Sequence, residues 1–73
     1  MGSALTTKEI GVRVKRGRDW KWGDQDGNGM GTTQPGGNKG WVKVNWDNGN
    51  SNSYRCGAED AYDLEYADMS AEV

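Results

Sequence analysis

Trp41-Val42-Lys43-Val44-Asn45-Trp46-Asp47-Asn48-Gly49-Asn50-Ser51-Asn52-Ser53-Tyr54-Arg55-Cys56 is the stretch that decides the fold. Its first six residues place Val42, Val44 and Trp46 on one face and Trp41, Lys43 and Asn45 on the other, the period of two of a strand with one buried side. Asn48-Gly49 tolerates two successive positive φ angles and predicts a two-residue type I′ turn. Ser51 to Cys56 then returns as a second strand, with Tyr54 directed inward or into a groove. A hairpin is the nucleus of the fold.

Short strands continue outward from it. Ile10-Gly11-Val12-Arg13-Val14-Lys15-Arg16 alternates apolar and charged residues, which predicts a strand with Ile10, Val12 and Val14 facing the core. Tyr62-Asp63-Leu64-Glu65-Tyr66 alternates again, and Thr32-Thr33-Gln34 can form a short strand before the turn residues Pro35-Gly36-Gly37-Asn38. Gly57-Ala58-Glu59-Asp60 fits a single helical turn, and no segment carries the pattern of a three-turn helix. About five short strands joined by Gly-rich connections predict an all-β fold, a small barrel whose closure removes exposed edges. Residues 1–9 are read as a flexible lead-in, with Met1-Gly2-Ser3 resembling a cloning scar, residues 10–67 as the barrel and residues 68–73 as an acidic tail. Gly17 to Gly31 is too long to be a plain turn. Connections of that length are functional or packed by their own side chains.

Composition narrows the function. Only 33% of 73 residues are hydrophobic, so four Trp and three Tyr must supply much of the core, and little material is left for a deep catalytic cleft. Residues 8–22 hold six bases against two acids, whereas residues 57–73 hold six acids and no base. Pairing of the two ends within one barrel would cancel much of that asymmetry, which argues against a nucleic-acid partner. Cys56 is the single cysteine, so no intrachain disulfide can form, and no apolar run has the length of a membrane span. A cytoplasmic or nuclear location without membrane association is expected.

Catalytic and metal motifs fail on inspection. The sequence has no His, which removes His-based triads and leaves Cys56 without a base; a small buried hydrophobe is the expected role for that residue. Asp24-Gln25-Asp26-Gly27-Asn28-Gly29 matches the first half of a calcium-binding loop, with oxygen ligands at Asp24, Asp26 and Asn28, but the twelfth position is Pro35 and the flanks are not helical. No metal, no cofactor and no catalytic residue are expected. Arg16, Arg18 and Lys21 interleave with Trp20 and Trp22, a pattern that suits peptide or single-stranded nucleic-acid contact. Structural packing is the leading role for Trp22 and Trp46, and the two roles are evenly balanced for Trp20 and Trp41.

Arg16-Gly17-Arg18-Asp19-Trp20-Lys21-Trp22-Gly23-Asp24-Gln25-Asp26-Gly27, together with Gly40-Trp41-Val42-Lys43-Val44, Trp46-Asp47-Asn48-Gly49, Asn52-Ser53-Tyr54-Arg55 and Tyr62-Asp63-Leu64, resembles the Mind-bomb/Herc domain of E3 ubiquitin ligases, with the closer likeness to those of large HECT-type ligases. The resemblance runs from about Ile10 to Ala67. It implies a Src-homology-3-like barrel and a role in recruiting substrates or partners, as Mind-bomb domains do for the cytoplasmic tails of Notch ligands. Catalysis would belong to a separate domain, so this chain is not expected to be an enzyme. Cys56 departs from the family's usual apolar residue, Asp60 from its usual Gly, and Met30–Lys39 is more polar than the corresponding strand.

The resulting expectation is a monomeric protein-interaction module with a groove between the Trp20–Asp26 loop and the Tyr54-Arg55 strand. Trp20 and Tyr54 would anchor a peptide; Arg18, Lys21 and Arg55 would select an acidic or phosphorylated segment. Arg55 could instead pair with Asp19 or Asp24 and pin the loop. A chromatin or nucleic-acid reader is the alternative, with Trp20, Trp41 and Tyr54 converging as a methyl-lysine cage. A purely architectural domain, packed on its neighbours, is the third.

Overall fold

The computed structural model describes residues 4–6 and 9–67. Strands β1 (Arg13–Arg16), β2 (Gly31–Gln34), β3 (Trp41–Trp46), β4 (Ser51–Arg55) and β5 (Leu64–Tyr66) form one antiparallel sheet in the order β4-β3-β2-β1-β5. The fold is all-β and consistent with a Src-homology-3-like barrel. No helix among the described residues is long and apolar enough to cross a membrane. The acidic tail assigned to residues 68–73 lies outside the described residues.

β3 carries the alternation that its sequence predicted: Val42, Val44 and Trp46 are buried, Lys43 and Asn45 exposed. β2 is polar yet central, and two features explain how. Gly31 lets the strand lie against β3, because a Cβ there would sit 2.6 Å from Val44 Cγ1 and 2.7 Å from Trp46 Cε3. Thr33 is fully buried but satisfied: its hydroxyl donates to the Glu9 carbonyl and accepts from the Val12 N–H, each at 2.8 Å.

The hairpin turn differs from the expectation. Trp46 N–H donates to the Asn50 carbonyl and Gly49 N–H to the Trp46 carbonyl, so the loop has three residues, Asp47 to Gly49. Gly49 alone takes a positive φ, +100°. That geometry belongs to a turn closed by a glycine bulge rather than a type I′ turn. Asn48 Oδ1 accepts the Asn50 N–H at 2.9 Å, a local bond that favours the longer loop.

Three further expectations are corrected. Ile10 does not join the core; it is 63% exposed, because Gly11 at φ +85° turns the chain before β1 begins at Arg13. The lead-in is not free of the fold, since Leu5 is 1% exposed and its N–H donates to the Leu64 carbonyl while Ala4 bridges Glu65. Cys56 is only half-buried, and its thiol faces the Leu5 carbonyl at 3.3 Å. The turn at Ala58–Asp60 is a 3₁₀ turn with Glu59 and Asp60 at φ +57° and +58°. Asp60 therefore occupies a left-handed position where a Gly would cost less.

The core consists of Leu5, Val14, Val42, Val44, Trp46, Tyr54 and Leu64, with Trp20, Trp22 and Tyr66 packed on its margin. The β1–β5 pairing brings the basic and acidic ends together as anticipated, with Lys15 3.9 Å from Glu65. Leu5→Ala should cost about 2–5 kcal/mol in urea unfolding, whereas Ile10→Ala should change stability by no more than about 0.5 kcal/mol. Equal effects of the two would contradict the placement of Leu5.

Candidate functional site

The Gly17–Gly31 connection is fastened to the sheet by two buried carboxylates. Asp63 has no exposed surface and accepts from the Arg55 backbone N–H (2.8 Å), Arg55 Nε (3.0 Å), an Arg55 terminal nitrogen (2.8 Å) and Trp22 Nε1 (3.0 Å). The same guanidinium donates to the Asp19 carbonyl at 3.0 Å and to Glu59 at 3.3 Å, and lies 5.6 Å from the Trp22 ring centre. The carboxylate holds Arg55 above the ordinary guanidinium range. At the other end, Asp26 receives two hydrogen bonds from Arg16, each 2.7 Å, and one from the Asn28 N–H. The Arg16 bonds hold the Asp26 carboxyl below its usual value.

Between these pins sits an aromatic stack. Trp20 lies on Tyr54 with ring centres 5.1 Å apart and an interplanar angle of 25°, and it meets Trp46 edge-on at 5.6 Å. Trp46 Nε1 donates to the Tyr54 hydroxyl, which donates to Gln25 Oε1 at 2.7 Å. Burial pushes the Tyr54 phenol up. Gln25 also accepts the Asn50 side-chain amide on its carbonyl at 3.0 Å. The groove expected between the loop and the Tyr54-Arg55 strand is thus occupied by Gln25 itself.

This geometry divides the anticipated binding residues. Tyr54 (1% exposed) and Arg55 (8%) are structural, so their assignment as ligand contacts is corrected. Arg55 does pin the loop, but through the Asp19 carbonyl, with Asp63 rather than Asp19 or Asp24 supplying the carboxylate. Trp41 pairs with Arg55 in the ladder whereas Tyr54 pairs with Val42, so Trp41 and Tyr54 lie on opposite faces of the β3–β4 ribbon. With Trp20 already stacked on Tyr54, the three do not converge as a cage. Asp26 and Asn28 direct their side-chain oxygens at Arg16, the reverse of what a cation site requires. Among the described residues, no group of three acidic or Cys side chains is placed to hold a metal.

What remains wholly or partly at the surface on the loop is Arg18, Trp20 and Lys21, with Trp41 half-buried on the other face of the β3–β4 ribbon. Arg18 is exposed, lies 5.7 Å from the Tyr62 ring centre and makes a long 3.4 Å contact with Asp19. Lys21 is exposed above Trp22 at 5.2 Å. Trp20 is half-buried, its indole N–H spent on the Gly23 carbonyl at 2.9 Å. A shallow depression of about 450 Å³ lies elsewhere, walled by Lys15, Arg16, Asp26 and Met30. Two residues that organise the site escaped the sequence reading. Nothing in the order of residues marked Asp63 as a buried carboxylate or Gln25 as a plug.

A family model described as Mib_herc2 matches residues 11–68. The E3 ubiquitin-protein ligase HERC2 of Homo sapiens is 53% identical over 66 residues, which covers 86% of this chain and 1% of that protein. The E3 ubiquitin-protein ligase Ufd4 of Drosophila melanogaster is 53% identical over 58 residues, 80% of this chain and 2% of the relative. The E3 ubiquitin-protein ligase MIB2 of Gallus gallus is 48% identical over 65 residues, 77% of this chain and 7% of its own length. The chain therefore spans a small fraction of each relative.

Two outcomes follow from the buried carboxylates. Asp63→Ala leaves the Arg55 guanidinium buried without its partner and should cost about 3–5 kcal/mol, enough to unfold a domain of this size, while Arg18→Ala should be nearly neutral in the same thermal melts. Asp26, Asp19 and Asp47 all have folded-state carboxyls below their ordinary values, held respectively by Arg16, the Tyr62 N–H and Arg13. A depressed folded value means that the unfolded chain takes up protons first. Their stabilisation is complete above the unfolded carboxylate range near about pH 4 and is lost as the pH falls below it. Urea midpoints should be flat from pH 7 to pH 5 and then drop, with a shallower drop in Asp26→Asn.

Proposed function

The chain belongs to the Mib_herc2 family, and from that premise we propose that it is a non-catalytic module of an E3 ubiquitin ligase that recruits a substrate or partner through an acidic or phosphorylated segment. The observation that carries this reading is the contrast among the cations in and around one loop. Arg16 is bound to a buried carboxylate and Arg55 to another, which fixes the backbone, while Arg18 and Lys21 stand exposed on either side of Trp20. Cations held on a rigid support bind an anionic segment with little ordering cost, and a guanidinium can grip a carboxylate or phosphate through two parallel bonds. The half-exposed Trp20 supplies apolar contact between them. Ligation itself would reside in another part of the parent protein, and a cytoplasmic or nuclear site of action accords with that role.

A peptide array of acid-rich and phosphorylated segments, followed by fluorescence anisotropy on the hits, tests this. Arg18→Glu with Lys21→Glu should weaken binding about tenfold or more, and raised salt should weaken the unmodified domain in parallel. Binders indifferent to that charge reversal, or an array without binders, would instead favour an architectural domain that packs against its neighbours.

A further inference from the structure

The sheet has one edge that the fold does not cover. Trp46 N–H donates to the Asn50 carbonyl, and in the β3–β4 register the Val44–Asn52 and Val42–Tyr54 pairs continue the hydrogen-bonded positions, so the N–H and C=O groups of residues 51, 53 and 55 point away from β3. At Arg55 both groups are taken by Asp63, whose carboxylate accepts the N–H and whose own N–H donates to the carbonyl. Ser53 N–H is held by Asn52 Oδ1 at 2.8 Å. Among the described residues, the Ser51 N–H, the Ser51 carbonyl and the Ser53 carbonyl have no hydrogen-bond partner. The opposite edge of the sheet is different, since β5 is flanked by Ala4 and Leu5.

Exposed edges are ordinarily guarded by Lys, Pro, a bulge or an inward charge. Ser51-Asn52-Ser53 has none of these, and all three residues are neutral and small. Lys43 stands directly beside Ser53 on the outer face of the sheet, exposed and without a carboxylate among the described residues. A side chain from a strand added outside β4 could pass over the Ser53 hydroxyl to reach that ammonium group.

We propose that the Ser51–Ser53 edge of β4 accepts an extended segment of a partner protein as an added antiparallel strand, with an acidic residue of the guest directed at Lys43. Ser51 exchanges both of its hydrogen bonds with one guest residue, and the Ser53 carbonyl accepts the N–H of the guest residue two positions earlier. Main-chain bonds set the register and Lys43 selects the charge. This surface is separate from Arg18 and Lys21 and does not depend on the reading given to them.

The probe is an acetylated, amidated heptapeptide of alternating Thr and Val with a central Glu, titrated to millimolar concentration into ¹⁵N-labelled protein. The expected result is a set of shifts centred on the Ser51, Asn52 and Ser53 amides. Backbone N-methylation of the peptide should abolish them, and Lys43→Glu should invert the preference between the Glu peptide and its Lys counterpart. Arg18→Glu with Lys21→Glu should leave the titration unchanged. Shifts absent at β4, shifts retained by the N-methylated peptide, or shifts lost on reversing Arg18 and Lys21 would each overturn the assignment. Concentration-dependent shifts at the same amides without peptide would give the edge to a second copy of the chain and overturn it as well.

Discussion

Everything in this domain leans on the Arg55–Asp63 pair. A carboxylate with no exposed surface receives bonds from the backbone and guanidinium of Arg55 and from the indole of Trp22, so three segments distant in sequence meet at one side chain. Such a pair is costly to bury and is stable only when the remaining donors and acceptors are also met. Here they are, because Asp19 and Glu59 take the outer nitrogens of the guanidinium. The pair works as a clasp. It sets where β4 ends, where the segment leading into β5 begins and where the long connection starts.

The aromatic stack can then close the barrel with few aliphatic residues. Trp20, Trp46 and Tyr54 cover in three rings what a larger domain would cover with a second layer, and rings in offset or edge-on contact contribute about 0.5–1.5 kcal/mol each beyond their buried area. Gln25 and the Tyr54 hydroxyl satisfy one another at the margin of the stack, so no polar atom is stranded there. The long, glycine-rich connection is held by polar contacts along its length, two of them on fully buried carboxylates.

The strands were legible in the sequence because they obey local rules. The alternation of Trp41–Trp46 with the turn residues after it needs no tertiary information, and neither does the apolar face of Val14 and Leu64. Leu5 and Ile10 show where that logic stops: Leu5 belongs to no alternating run and is buried, Ile10 opens one and is exposed, and only the fold decides between them. Arg55 is the sharper case. An Arg beside a Tyr in a strand reads as a surface cation, and its burial becomes visible only when Asp63 is brought beside it from eight residues away. The exposure of Arg18 and Lys21 was readable because neither has such a hidden partner.

The antiparallel bridge between Ala4 and Glu65 has a mechanical consequence. Ala4 and Leu5 run beside β5, so a longer chain would enter and leave the module at neighbouring points. Tension applied through that chain would peel these contacts apart one at a time instead of shearing several together. The load would fall first on Leu5 at one end and on Ala67 and Tyr66, held to Arg13 and Val14, at the other, so the barrel would respond to a pull from outside before the aromatic stack had felt any load.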